Sequence, residues 1–154
     1  MSEIDIDELR KNFGRRLRIG FIGGGRDSVI GGTHLAAMRV DGFFELYAGV
    51  FSIDPTVSEA TARAEFLDAD RVYESFNEMA EKETLREDGI EVVLIAAPPH
   101  IHFEAAKVFL TKGIDVICEK PIAVSREQAS QLDNLAQQHS RLFCLTHCYT
   151  GYPM

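Results

Sequence analysis

The chain has 154 residues, of which 45% are hydrophobic and 26% charged, a composition typical of one soluble globular domain. Its net charge of −8 argues against nucleic acid as a partner, because no basic stripe is available to neutralise phosphates. No apolar run approaches the roughly 20 residues of a membrane helix. Cys118, Cys144 and Cys148 are odd in number and irregularly spaced, which predicts a reduced, cytoplasmic location.

Short apolar segments alternate with segments of helical periodicity along the chain. This alternation predicts an α/β fold with a doubly wound parallel sheet of about six strands. Residues 17–154 form one domain in this interpretation, and residues 1–16 are an N-terminal extension. The strands are predicted at residues 17–23, 44–52, 72–73, 90–97, 114–118 and 142–146. The helices are predicted at residues 30–41, 57–66, 75–86, 101–112 and 125–139.

A glycine-rich stretch, GFIGGGRDSVIGGTH, follows the first apolar segment. A dinucleotide-binding turn has the spacing G-x-G-x-x-G, but the position expected for its third glycine is Ser28. A loop that is longer by three residues would give this role to Gly31, and the amides around Ile30 to Gly32 would still face an anion. A glycine-rich turn without a ligand is the alternative. The candidate cofactor-binding residues here are Gly23, Gly25, Ser28, Ile30 and Gly31.

The end of the second predicted strand is where dinucleotide-binding folds often place an acidic residue for the ribose 2′-hydroxyl. Ser52 occupies this position, and a serine leaves room for a 2′-phosphate and can donate a hydrogen bond to it. Asp54 either reaches the ribose or only caps the next helix. The sequence therefore favours NADP over NAD as the cofactor.

The segment APPHIH follows the most apolar strand. Its prolines predict a rigid turn at Ala97 and Pro98, where the cofactor is expected to cross the sheet. His100 and His102 are poorly spaced for a metal site without nearby carboxylates, so no metal is predicted. Capping or packing is the favoured role for both histidines, and His102 is also a candidate cofactor contact.

The segment CEKP follows the next strand and contains Glu119 and Lys120. One interpretation is that Glu119 forms an ion pair with the lysine. In the other, the Lys120 ammonium holds a substrate hydroxyl and stabilises its alkoxide character during hydride transfer.

The order of the glycine-rich turn, His34, PPHIH and CEKP resembles the N-terminal domain of the Gfo/Idh/MocA oxidoreductases. The similarity runs from about Leu17 to Met154, and the closing THCYTGYPM resembles a sugar-dehydrogenase-like branch in which the lengthened glycine loop is common. Cys148 stands where that branch more usually has asparagine.

The resemblance implies that Lys120 contacts the substrate hydroxyl and that Gly23, Gly25 and Gly31 hold the pyrophosphate. It also implies a sugar or polyol substrate, no membrane association and a homo-oligomeric full-length protein. Members of this family continue into a second α/β domain that supplies the acid–base pair and most of the substrate pocket, so we expect the present chain to be the cofactor half and inactive alone. A stand-alone nucleotide-binding or redox-sensing module is the alternative.

Overall fold

The computed structural model describes residues 14–151, so most of the predicted N-terminal extension lies outside the described residues. Strands and helices alternate along the chain as the sequence predicts, except between residues 55 and 84, where two helices follow one another. The strands are β1 (Leu17–Gly23), β2 (Phe44–Val50), β3 (Val92–Ala96), β4 (Asp115–Cys118) and β5 (Phe143–Leu145). The helices are α1 (Val29–Asp41), α2 (Pro55–Ala64), α3 (Phe76–Thr84), α4 (Pro99–Thr111) and α5 (Arg126–Gln138), with short 3-10 turns at Ala69–Arg71 and Cys148–Gly151.

The five strands form one parallel sheet in the order β2-β1-β3-β4-β5. The doubly wound fold class is confirmed, but the predicted strand at residues 72–73 is not a member of the sheet. Val72 forms only an isolated parallel bridge with Gly49. Two residues after a 3-10 turn are too few for a ladder, so the sheet has five strands where six were expected.

Hydrophobic clusters cover both faces of the sheet. Successive strand residues point to opposite faces, so Val93 and Ile95 join one cluster while Val92 and Leu94 join the other. Helices α3, α4 and α5 contribute buried residues to the first cluster, including Met79, Phe109 and Leu132. Helices α1 and α2 contribute to the second, including Leu35, Met38 and Ala62. This arrangement buries β3 completely.

Side-chain caps fix where most of the helices begin. Ser28, Ser75 and Ser125 each accept a hydrogen bond from the backbone amide three residues later. Asp54 accepts one from the amide of Thr56. The caps place the start of α1 and α2 directly after β1 and β2, at the edge of the sheet where the carboxyl ends of the strands meet.

Between residues 14 and 151, no helix combines the length and apolar character that crossing a bilayer requires.

Candidate functional site

A cleft of about 810 Å³ opens at the carboxyl ends of the strands, where β1 lies between β2 and β3. The chain order of the strands reverses at this point, and open α/β sheets bind their ligands at such switch points. The cleft brings together residues that are far apart in the sequence. Six of the predicted site residues line it: Gly23, Gly25, Ser28, Ser52, Ala97 and Pro98.

The glycine-rich turn leaves β1 with two residues in the left-handed backbone region. Gly23 has a φ of 74° and Gly24 a φ of 70°. Side chains rarely adopt this conformation, so glycine is required at both positions. Gly24 was not among the predicted site residues. It is the middle one of three consecutive glycines, and the G-x-G spacing rule makes no use of that position. The turn thus carries no side chain between the end of β1 and the cleft.

Gly31 provides the close contact between α1 and this turn. A Cβ atom added at Gly31 would lie 2.3 Å from the carbonyl oxygen of Gly24. The packing role that the lengthened-loop interpretation gives to Gly31 therefore agrees with the geometry.

The N-terminus of α1 is capped by Ser28, and this changes which amides can bind an anion. The Ser28 hydroxyl accepts from the Gly31 amide at 3.1 Å, and the Ser28 carbonyl accepts from Gly32 at 3.1 Å. Those two amides are therefore already engaged, although the sequence placed them in the anion site. Within the predicted range, this leaves the amide of Ile30 as the candidate donor.

The turn after β2 carries a hydroxyl and a carboxylate group that already form hydrogen bonds within the turn. The Ser52 hydroxyl accepts from the Asp54 amide at 3.1 Å, which leaves its own proton available for donation. The Asp54 carboxylate accepts from both the amide and the hydroxyl of Thr56, and these hydrogen bonds hold its pKa below the usual range. Asp54 thus caps α2, as one of the two interpretations of the sequence has it.

Ile53 is a further candidate contact that the sequence interpretation did not single out. It lines the cleft between Ser52 and Asp54, and its side chain is fully exposed. An exposed isoleucine at a cleft mouth offers an apolar surface to a planar base. The sequence feature that could have indicated Ile53 is an apolar side chain inside an otherwise polar turn.

His102 joins the turns that follow β3 and β4. Its side chain is buried, with 1% exposure, and does not line the cleft. Nδ1 lies 2.7 Å from the carbonyl oxygen of Pro121, and Nε2 lies 2.8 Å from that of Ala97. The ring is therefore used within the protein, which agrees with the predicted packing role.

Glu119 contacts α1 instead of the neighbouring lysine side chain. Its Oε1 lies 2.8 Å from His34 Nε2, and its Oε2 accepts from the Lys120 amide at 3.1 Å. Both side chains of the His34–Glu119 pair are largely buried, with exposures of 15% and 8%. The Glu119–Lys120 ion pair, one of the two interpretations of the sequence, is not formed; the carboxylate contacts His34 and the Lys120 amide instead.

The Lys120 side chain is exposed at the carboxyl end of β4, one strand beyond the cleft wall formed by β3. Its ammonium forms no ion pair with any residue from 14 to 151. Lys120 precedes Pro121 through a cis peptide bond. A free ammonium in this position can donate hydrogen bonds to a ligand that extends from the cleft.

Cys118 lies directly before this segment and is fully buried. Burial raises the pKa of its thiol to about 12, so the group is protonated at neutral pH. Among residues 14–151, no three histidine, cysteine or acidic side chains are grouped as a metal site would require.

Comparison with known proteins agrees with this geometry. The model of the Gfo/Idh/MocA family, described as an oxidoreductase family with an NAD-binding Rossmann fold, matches residues 17–147. An uncharacterized oxidoreductase of Bacillus subtilis, YfiI, is 36% identical over 139 residues, which are 90% of this chain and 35% of that protein.

Two solved structures extend the comparison. An oxidoreductase from Sinorhizobium meliloti superposes with a TM-score of 0.84 at 46% identity, covering 91% of this chain and 39% of the other. An inositol dehydrogenase homologue from Azotobacter vinelandii, complexed with NADH and myo-inositol, gives 0.86 at 35% identity, covering 89% and 36%.

The chain spans little more than a third of the length of these relatives. The match nevertheless includes the glycine-rich turn, the turn after β3 and the CEKP segment, which all lie within residues 17–147. The chain belongs to the Gfo/Idh/MocA oxidoreductases and carries their NAD-binding Rossmann fold.

Proposed function

We propose that this chain is the nucleotide-binding part of an NAD(P)-dependent oxidoreductase that transfers hydride between nicotinamide and a sugar or polyol hydroxyl. The observation that carries the proposal is the position of two features on one edge of the sheet. A glycine turn without side chains opens the cleft after β1, and the free ammonium of Lys120 follows β4. A dinucleotide binds across such an edge with its pyrophosphate at the glycine turn.

The described residues fit such a cofactor. Gly23, Gly24 and Gly25 line the cleft without side chains that would fill it, and α1 begins directly behind the turn. The partial positive charge of a helix N-terminus favours a bound pyrophosphate there. Ser52 and Ile53 would contact the adenosine part, and Ala97 and Pro98 would support the path toward Lys120.

When bound, nicotinamide supplies the hydride acceptor or donor. Lys120 would donate a hydrogen bond to the oxygen of the substrate hydroxyl and stabilise the negative charge that develops on it. As a cation, the lysine cannot remove the hydroxyl proton, so this step needs a separate base. The Glu119 carboxylate is engaged by His34 and the Lys120 amide, and it therefore holds the segment in place rather than acting as that base.

The substrate class, assembly and location are part of the proposal. The inositol dehydrogenase homologue was solved with myo-inositol, which supports a sugar or polyol substrate for the protein that contains this domain. We place the protein in the cytoplasm, because its three cysteines are free. Homo-oligomerisation of a longer form is expected from the family resemblance alone.

Nucleotide titration of residues 1–154 tests the proposal. We expect NADH or NADPH to bind with enhanced nicotinamide fluorescence, and Lys120→Ala to leave this binding nearly unchanged. Failure of both nucleotides to bind at millimolar concentration would overturn the proposal.

A hydride-transfer assay on the same chain, with myo-inositol and the oxidised cofactors, addresses the catalytic step. We expect no turnover, because Lys120 orients a hydroxyl without removing its proton. Turnover that Lys120→Ala abolishes would show that residues 1–154 contain the complete catalytic apparatus.

A further inference from the structure

Arg26 lies at the tip of the glycine-rich turn, and the turn fixes its position. The Ser28 amide donates to the Gly25 carbonyl at 2.7 Å, which closes a tight turn around residues 26 and 27. The Gly25 amide donates to the carbonyl of Phe51 at 3.2 Å. The start of the turn is therefore attached to the residue that precedes Ser52.

A second contact attaches Arg26 itself to α2. Its backbone amide donates to the hydroxyl of Thr61 at 3.0 Å. Thr61 is 2% exposed, and its hydroxyl donates in turn to the Val57 carbonyl at 2.7 Å. A buried hydroxyl that accepts from the turn holds the backbone of Arg26 against the helix that follows β2. In dinucleotide-binding folds this is the side of the cleft that receives the ribose 2′ position.

Some charged side chains near Arg26 and α2 already have partners within the protein, and others do not. The Arg26 side chain is exposed and its guanidinium has no ion-pair partner between residues 14 and 151. Arg63 lies on α2, and its guanidinium is already paired with the Glu59 carboxylate at 3.3 Å. Asp54 is occupied by capping α2, whereas Ser52 retains a proton that it can donate.

Space for an added group is present beside Ser52. A second cavity of about 760 Å³ adjoins the cleft at Ser52 and Ile53 and extends along α2. Its charged lining residues are Glu59, Arg63 and Glu74, and Asp27 lines the main cleft. Because acidic groups predominate in this lining, a phosphate here needs a cation that is not already neutralised. Arg26 is not among the residues that line either cavity, but its backbone is held against α2 and its guanidinium has no ion-pair partner between residues 14 and 151.

We propose that Arg26 recognises the ribose 2′ position and gives this chain a preference for NADP(H) over NAD(H), with the Ser52 hydroxyl as a second donor. The proposal rests on the nucleotide binding proposed above. An arginine suits a phosphate because its planar donors can form two parallel hydrogen bonds to it. A neutral 2′-hydroxyl gains much less from the same cation.

Two fragments of the cofactors isolate this interaction: 2′,5′-ADP carries a phosphate on the ribose 2′ oxygen, and 5′-AMP is the same molecule without it. Calorimetric titrations at one fixed ionic strength compare the wild-type chain, Arg26→Ala and Arg63→Ala, each checked for folding by circular dichroism. We expect wild type to bind 2′,5′-ADP more tightly. Arg26→Ala should weaken that binding by about tenfold, equivalent to about 1.4 kcal/mol, and leave the binding of 5′-AMP unchanged. Arg63→Ala removes the same charge from α2 and should change neither affinity.

Several results would overturn the assignment while leaving nucleotide binding intact. These are an equal loss for both fragments in Arg26→Ala, a selective loss in Arg63→Ala instead, or a wild-type chain that prefers 5′-AMP. If the wild-type chain binds none of the fragments or cofactors, the proposed function fails and this assignment fails with it. Partial recovery of selectivity in Arg26→Lys would support a role for the charge.

Discussion

His34 and Glu119 are 85 positions apart in the chain, yet His34 Nε2 lies 2.8 Å from Glu119 Oε1 in a largely buried contact. The pair joins α1, which begins at the glycine-rich turn, to the segment that carries Lys120. Two parts of the proposed site are thereby held in one arrangement.

Removing this pair is expected to destabilise the domain. Glu119→Ala leaves the buried His34 nitrogen without its partner, which should lower the free energy of unfolding by about 1–3 kcal/mol. Urea unfolding measures the change, and Glu87→Ala is the control because Glu87 is exposed. In a double-mutant cycle with His34→Ala, the combined loss should be smaller than the sum of the single losses. Strict additivity would contradict a direct interaction.

His102 should matter far more than its neighbour His100. Replacing His102 by alanine creates a cavity and removes a ring whose nitrogens lie 2.7 and 2.8 Å from the carbonyl oxygens of Pro121 and Ala97, so we expect a loss of about 2–4 kcal/mol in stability. His100→Ala changes the same residue type at an exposed position in the same helix and should have little effect. Thermal or urea unfolding of the two variants gives the comparison. Similar stabilities would show that the contacts of His102 contribute nothing.

Adjacent glycines in α1 should respond differently to the same substitution. Gly31→Ala forces a methyl group to within 2.3 Å of the Gly24 carbonyl oxygen, so α1 must move away from the turn. We expect reduced stability and weaker nucleotide binding. A Cβ atom at Gly32 meets nothing within 4 Å. Gly32→Ala should therefore stabilise the helix by up to about 1 kcal/mol without affecting binding. Fluorescence titration and urea unfolding test both variants; equal loss of binding in the two would refute the assigned packing role.

Ser52→Asp should shift cofactor preference from NADPH toward NADH. The added carboxylate would accept from a 2′-hydroxyl and repel a 2′-phosphate, an effect of about 1–3 kcal/mol if the phosphate is partly desolvated. The ratio of the two dissociation constants is the relevant measurement. Ser52→Asn adds similar bulk without charge and serves as the control. An unchanged ratio in Ser52→Asp would remove this residue from the ribose site.

Glu91 should make the stability of the domain depend on acid pH. Both of its carboxylate oxygens accept from Arg15, at 2.6 and 2.8 Å, and the Arg18 amide donates to it as well. The Arg15 guanidinium is the main cause that lowers the pKa of Glu91 to about 2, from an ordinary value of 4.5. The stabilisation is present above the unfolded-state value and is lost as the pH falls toward 2.

Comparison with Glu91→Gln tests this pH dependence. The stability difference between the two proteins should be larger at about pH 7 than at about pH 3, because at pH 3 the unfolded chain protonates Glu91 whereas the folded chain keeps it largely ionised. The effect should be modest, since the Arg15 side chain is 52% exposed and the Glu91 side chain 31% exposed. A difference independent of pH would indicate that packing, not charge, is responsible.

Local signals in the sequence were sufficient to predict the order of strands and helices. The buried strand β3 is a continuous apolar run, and serines at the start of α3 and α5 mark where those helices begin. The predicted strand at residues 72–73 failed because β propensity at two positions does not specify a partner. Val72 forms a single isolated bridge, with Gly49, among the described residues.

The internal contacts of the site were less accessible from the sequence. The partners of Glu119 and His102 depend on how distant segments meet at the sheet edge, and periodicity contains no information about such contacts. The interpretation in which Glu119 pairs with Lys120 was based only on their being neighbours in the chain. In the fold, α1 brings His34 to the same carboxylate.

The attachment of the glycine-rich turn to Phe51 and Thr61 has a thermodynamic consequence for ligand binding. Hydrogen bonds from Gly25 and Arg26 to these residues hold the turn through protein groups alone. The conformational entropy of the turn is therefore lost during folding and not at the moment of association. Such preorganisation lets more of the interaction energy of an anion at the turn appear as affinity.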